Sequence, residues 1–103
     1  MARVTVDIGQ DVTCSPGDTV EWRNRDSMRD CDITIINPHS PPNPTQHDRY
    51  TAPKSDSAVA FILRGAVRRE YYYRIHCHNL TDAGDPKLAG DPKLRGDPKL
   101  IVR

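Results

Sequence analysis

Apolar residues alternate with polar ones along much of this chain, and no window of ten residues has the 3.6-residue spacing of an amphipathic helix. Alternation of this kind, in segments rich in Val, Ile, Thr and Tyr, is typical of half-buried β-strands. The segments that show it are 3–8, 12–14, 19–24, 31–36, 57–63, 71–77 and 99–102. The sequence therefore predicts an all-β chain of about seven short strands, arranged as a sandwich.

Length and charge limit the domain count and the partners. The chain has 103 residues, which predicts one domain over 1–103, and its formal net charge is only +1. This balance predicts neither a nucleic acid nor a membrane as partner, so we expect an unidentified protein partner or self-association. No apolar run approaches the ~18 residues of a membrane span. The expected location is the cytoplasm if Met1 is the native start, and the periplasm or the extracellular space if a leader was removed.

Four prolines fall within the nine residues 37–45. Proline cannot donate to a ladder of hydrogen bonds and breaks helices, so this segment cannot be the interior of a sheet or a helix. We expect an ordered surface crossover. His39 and His47 lie in or beside it and are interpreted as exposed polar residues.

The end of the chain contains three tandem hexapeptides over 83–100, each with the core Gly-Asp-Pro-Lys-Leu. Three copies give too few turns for a hexapeptide β-helix, and the proline in each copy removes a backbone donor. We interpret the repeats as an extended loop that leads into the last strand, 99–102. Lengthening such a loop costs little, because closure entropy grows only with the logarithm of loop length.

Three cysteines allow at most one disulfide within the chain. Cys14 and Cys31 flank the strand 19–24 at opposite ends, which places them ~20 Å apart and excludes a bond between them. Cys77 lies between His76 and His78 at the end of a strand. Neighbouring side chains on a strand point to opposite faces, so both histidines are expected to face away from the side of Cys77.

The order of these signals resembles that of the cupredoxins, the small blue-copper β-sandwiches, over residues 4–36 and 57–102. The segment Ser15–Asn24 is similar to the family's turn and third strand. Tyr73 stands four residues before Cys77, like the tyrosine before the copper cysteine, and a short apolar strand closes the chain. The resemblance implies a Greek-key β-sandwich. His76-Cys77-His78 also resembles the triplet of multicopper oxidases, whose flanking histidines reach a second copper cluster.

The family's type 1 copper site needs two imidazoles, one thiolate and a weak axial ligand. By the resemblance, Cys77 takes the thiolate position and Cys31 takes the position of the first histidine. No histidine follows His78, and neither Met1 nor Met28 lies near the tail to supply the axial ligand. The resemblance therefore implies an incomplete copper site, with Cys31 and Cys77 close enough for a disulfide. Cys14 is then expected to be a small buried apolar residue.

The sequence is compatible with three functions. The leading expectation is a non-catalytic binding or structural module without a cofactor. The alternative is an electron-transfer module that binds copper, or less readily zinc, through Cys31, Cys77, His76 and His78, since thiolates with imidazoles suit these metals. A cysteine-nucleophile enzyme is the third, but no residue is evident that would orient a catalytic base, so we expect no catalytic residue.

Overall fold

The computed structural model describes residues 2–39, 41–78 and 97–103. These residues form strands joined by turns and loops, without a helix, which confirms the predicted all-β class. In chain order the strands are β1 (Arg3–Asp7), β2 (Val12–Cys14), β3 (Thr19–Arg23), β4 (Cys31–Ile36), β5 (Arg49–Ala52), β6 (Ser57–Phe61), β7 (Glu70–Cys77) and β8 (Lys99–Val102). Within the described ranges there is no helix long and apolar enough to cross a membrane.

The strands form two sheets of mixed topology. The smaller sheet has the order β1-β3-β6, and the larger one has the order β2-β8-β7-β4-β5. β1 runs parallel to β3 and β2 runs parallel to β8, whereas the other neighbours are antiparallel. Side chains from both sheets contribute to a single buried cluster, so the architecture agrees with the predicted β-sandwich.

The seven predicted segments coincide with strands to within two residues at either end. One strand was not predicted, β5, which pairs antiparallel with β4 at the edge of the larger sheet. Only Ala52 of its four residues is buried, and Tyr50 is half-buried. Two inward-facing positions are too few for the alternation to be recognised in the sequence. The strand forms through its pairing with β4 rather than through its own pattern.

Trp22 and Tyr73 form the centre of the core. Both are fully buried, and their ring centroids are 5.4 Å apart. The Tyr73 hydroxyl donates to the carbonyl of Gln10 and accepts the N–H of Gly9 at 3.1 Å, so it ties β7 to the turn between β1 and β2. Burial raises the pKa of Tyr73 to about 12, which keeps this hydroxyl protonated at all ordinary pH values.

The predicted turn Ser15–Asp18 is confirmed. Gly17 has a φ of 91°, which glycine tolerates, and the Asp18 N–H donates to the Ser15 carbonyl at 3.0 Å. The Asp18 carboxylate accepts the N–H groups of Ala2 and Ser15, each at 2.9 Å. These bonds, that from Ala2 first, hold the pKa of Asp18 below its ordinary value.

The described residues of 37–45 cross from β4 towards β5 as a loop, and His39 and His47 are exposed as predicted. The crossover is not wholly superficial, however. Pro44 and Thr45 are buried, and the Pro44 carbonyl accepts the N–H of Leu63 at 2.9 Å. Part of this proline-rich segment therefore packs against the end of β6.

Candidate functional site

The candidate site lies where β4 begins and β7 ends. Cys31 is the first residue of β4, Cys77 is the last residue of β7, and the two are direct partners in the antiparallel ladder. Their sulfur atoms are joined in a disulfide, and their Cα atoms are 3.9 Å apart. Cys31 is fully buried and Cys77 is half-buried. The predicted Cys31–Cys77 disulfide is thus present.

The disulfide changes what these two positions can do chemically. A thiolate, and not a disulfide sulfur, is the nucleophile and the metal ligand in cysteine chemistry. As long as the bond is intact, neither Cys31 nor Cys77 can supply a thiolate. Both positions then serve to hold β4 against β7.

His76 lies on the opposite face of β7, and His78 directly follows the strand. His76 stands opposite Asp32 in the ladder, one position from the disulfide, and both histidines are exposed. The His78 Nε2 is 2.9 Å from Asp32 Oδ2, and the imidazoles of His76 and His78 meet edge to face with centroids 5.4 Å apart. The prediction that the histidines face away from the cysteines is confirmed.

Asp32 is the centre of this outer group. Its Oδ1 accepts the Thr51 hydroxyl at 2.8 Å, while its Oδ2 is bonded to His78. Partial burial raises the pKa of Asp32, but the hydrogen bonds from Thr51 and His78 outweigh that effect, so the pKa lies below its ordinary value of 3.8. The carboxylate is therefore ionised near neutral pH.

The four candidate metal ligands thus form two pairs, the disulfide-bonded cysteines and the two histidines, whose rings contact each other. In the part of the chain that the structure describes, no group of three or more His, Cys, Asp or Glu side chains is arranged to hold a metal ion. A site that used both pairs would need the disulfide to be reduced and the end of β7 to bend.

The loop between β3 and β4 is fixed beside the disulfide by a buried asparagine. The Asn24 amide donates to the carbonyls of Arg29 and Ala52 at 2.8 and 3.1 Å, and its Oδ1 accepts the Asp26 N–H at 2.9 Å. The Asp30 carbonyl in turn accepts the N–H of His78 at 2.8 Å. Sequence reasoning assigned no role to Asn24. The only local indication is that Asn24 lies just after a strand. Asparagine side chains often bond to the backbone two residues further on at such positions and so begin a turn.

Cys14 takes no part in the site. It is buried, and its thiol lies 3.6 Å from the carbonyl of Ile101. Burial raises the pKa of the Cys14 thiol to about 11, so it is protonated and unreactive near neutral pH. The prediction of a small buried apolar residue is confirmed.

Residues 79–96 lie outside the described residues, and with them most of the tandem repeats at 83–100. The last repeat continues from Asp97 into β8, as the sequence predicts for the final strand. Asp97 Oδ2 is 3.1 Å from a guanidinium nitrogen of Arg74 on the outer face of β7, and the Lys99 N–H donates to Asp11 at 2.9 Å. These contacts fix the entry into β8.

Comparison with known proteins does not assign the chain to a group. No protein-family model matches it, and no curated protein has significant sequence similarity to it.

Proposed function

We propose that the chain is a non-catalytic, cupredoxin-like Greek-key module in which a disulfide stands in place of the type 1 copper site, and that it serves a binding or structural role. One observation carries the proposal. Cys31 and Cys77 are direct partners, at the two positions where the resemblance puts the first copper histidine and the copper cysteine. A covalent bond joins the strands that the metal would otherwise join.

The physical advantage of such a bond is that it needs no metal supply. The disulfide closes a loop between residues 46 apart in the sequence. In the chain-entropy account, a loop of this size is worth about 4 kcal/mol through its effect on the unfolded chain. Bonds of this kind persist in oxidising compartments, so we infer that the protein works in the periplasm or outside the cell.

The proposal can be tested on the protein as purified. Alkylation after denaturation without reductant should label one thiol per chain, and labelling after reduction should give three. Cys14→Ala is the matched control and should remove the single label. The metal content should be far below one per chain, without a blue absorption band. Stoichiometric copper or zinc together with three free thiols would overturn the proposal.

A second candidate function is electron transfer or metal binding by the reduced form. It is favoured by the direct pairing of Cys31 with Cys77, because reduction would leave two thiols side by side, one of them half-buried. Soft thiolate pairs select Cu(I), and less strongly zinc. Anaerobic titration of the reduced protein with Cu(I), against a competing chelator, tests it. Binding at one ion per chain that is lost in both Cys31→Ser and Cys77→Ser would support this candidate, and no binding would exclude it.

A further inference from the structure

The connection between β6 and β7 concentrates positive charge at the end of the molecule opposite the disulfide. From Ser57 to Arg69 the chain has no acidic residue. The Val102 N–H donates to the Arg69 carbonyl at 3.0 Å, which brings Arg103 to the same place. The exposed arginines of this surface, here called the arginine turn, are Arg64, Arg68, Arg69 and Arg103.

Most of this charge is not neutralised by the rest of the described chain. No carboxylate of residues 2–39, 41–78 or 97–103 forms an ion pair with Arg68, Arg69 or Arg103. Several arginines elsewhere are paired with carboxylates, as Arg23 and Arg25 are with Asp7. The arginine turn therefore presents a local positive potential although the net charge of the chain is close to zero.

An apolar residue lies within the arginine turn. Val67, which immediately precedes Arg68, is 40% exposed, whereas the adjacent Ala66 is buried. Arginine and exposed apolar surface together are characteristic of protein interfaces, from which lysine is depleted. The chain also uses arginine, and not lysine, at every basic position of this turn.

The backbone of the turn is held in place on several sides. The Ala66 N–H donates to the Leu63 carbonyl at 3.0 Å, and the Tyr71 hydroxyl donates to the Val67 carbonyl at 2.7 Å. Ala66 itself is part of the core cluster. A fixed backbone lowers the entropy lost when a partner binds, so the surface is prepared for docking before the partner arrives.

We propose that the arginine turn docks an acidic segment of another protein, with carboxylates on Arg68, Arg69 and Arg103 and an apolar side chain against Val67. Guanidinium groups bind carboxylates in a bidentate manner, which favours this partner chemistry. Nucleic acid is disfavoured, because none of residues 63–69 is aromatic and could stack on a base. This inference goes beyond the proposed function and does not depend on the state of the disulfide.

Binding of a labelled model peptide, followed by fluorescence anisotropy at low and physiological salt, tests the proposal. The probe carries glutamates around a central leucine, and its control has glutamine in place of every glutamate. The wild type should bind the acidic peptide and not the glutamine peptide, and added salt should weaken binding. The variant Arg68→Glu/Arg69→Glu should bind at least about tenfold more weakly.

The matched control is Arg25→Glu/Lys54→Glu, which makes the same change in net charge at exposed positions outside the arginine turn. It should bind the acidic peptide within about twofold of the wild type, because the effect of a charge falls off over a Debye length. Equal losses in the two double variants would overturn the proposal, since they would show a response to net charge alone. Circular dichroism checks that both variants keep the fold.

Gly65 offers a finer probe. A Cβ atom built there would have no neighbour within 4 Å, and its φ does not require glycine, so a longer side chain fits without a clash. Gly65→Glu should weaken peptide binding and Gly65→Gln should not. The inference would be wrong if the wild type bound no acidic peptide at low salt. It would also be wrong if it bound oligothymidylate or phosphatidylserine vesicles more tightly than the peptide.

Discussion

The two faces of β7 differ in how their side chains are bound. On the inner face, the Tyr73 hydroxyl holds the turn between β1 and β2, and Cys77 is joined covalently to Cys31. On the outer face, Arg74 and His76 are exposed, and their contacts are open to solvent. We therefore expect substitutions on the inner face to destabilise the sheet more than substitutions on the outer face.

If the chain is the cupredoxin-like module that we propose, the contrast between the two faces has a functional meaning. In cupredoxins the inner end of the corresponding strand holds the metal. In our proposal the same inner position has become structural, through Cys31 and Cys77. A partner would then bind to exposed surfaces that do not contribute side chains to the core.

The largest expected effect comes from breaking the inner covalent bond. Cys31→Ala/Cys77→Ala should lower the free energy of unfolding by about 4 kcal/mol, because the unfolded chain is no longer constrained. Urea unfolding at neutral pH measures the change. Reduction of the wild type should produce a similar loss, whereas Cys14→Ala, which breaks no covalent bond, should cost less. An unchanged midpoint in the double variant would mean that the disulfide does not stabilise the sheet.

A smaller loss is expected when the inner tyrosine loses its hydroxyl. Tyr73→Phe keeps the ring against Trp22 but leaves the Gly9 N–H and the Gln10 carbonyl without their partner, which should cost about 1–3 kcal/mol. Urea unfolding again provides the measurement. Tyr72→Phe on the outer face is the matched control and should change the free energy of unfolding by less than about 0.5 kcal/mol. Equal effects of the two substitutions would contradict the distinction between the faces.

The third prediction concerns the outer carboxylate and pH. The pKa of Asp32 is lowered in the fold, so its interactions stabilise the protein at pH values above its ordinary 3.8 and are lost as the pH falls through the lowered pKa. Asp32→Asn should therefore cost up to about 1 kcal/mol near neutral pH. That difference should shrink towards zero in acid.

Urea unfolding of the wild type and of Asp32→Asn over a series of pH values measures this difference. Thr51→Val removes one of the two hydrogen bonds to the carboxylate and should give part of the same loss. A difference between wild type and Asp32→Asn that grew in acid would contradict the assigned direction of the pKa shift.

Much of the fold could be predicted because its signals are local. The alternation that turns Val20 and Trp22 inward follows from the two-residue period of a strand, and the turn at Pro16-Gly17 follows from the φ preferences of those residues. The Cys31–Cys77 pair needed the resemblance as well, since three cysteines alone leave the pairing open.

The parts that could not be predicted depend on contacts between distant residues. β5 is a strand because it pairs with β4, and Asn24 is buried because its amide reaches a carbonyl 28 residues away. Likewise, the contact of His78 with Asp32 depends on the register of β4 against β7, which no local pattern specifies. In the candidate site, therefore, the cysteine pair could be predicted, whereas the partners of His78 and Asn24 could not.

The smallest change in the free energy of unfolding is expected from removing the outer imidazoles. This substitution also tests directly whether the two faces act independently. His76 and His78 are exposed, so His76→Ala/His78→Ala should change the free energy of unfolding by only about 0.5 kcal/mol per site, and the disulfide should form as before. If the reduced protein binds Cu(I) through Cys31 and Cys77 alone, its affinity should also stay within about threefold of the wild type, because the imidazoles face away from both sulfurs. Chelator competition measures that affinity. A large loss of Cu(I) affinity in the histidine variant would show that the end of β7 bends on reduction and brings the two faces into one metal site.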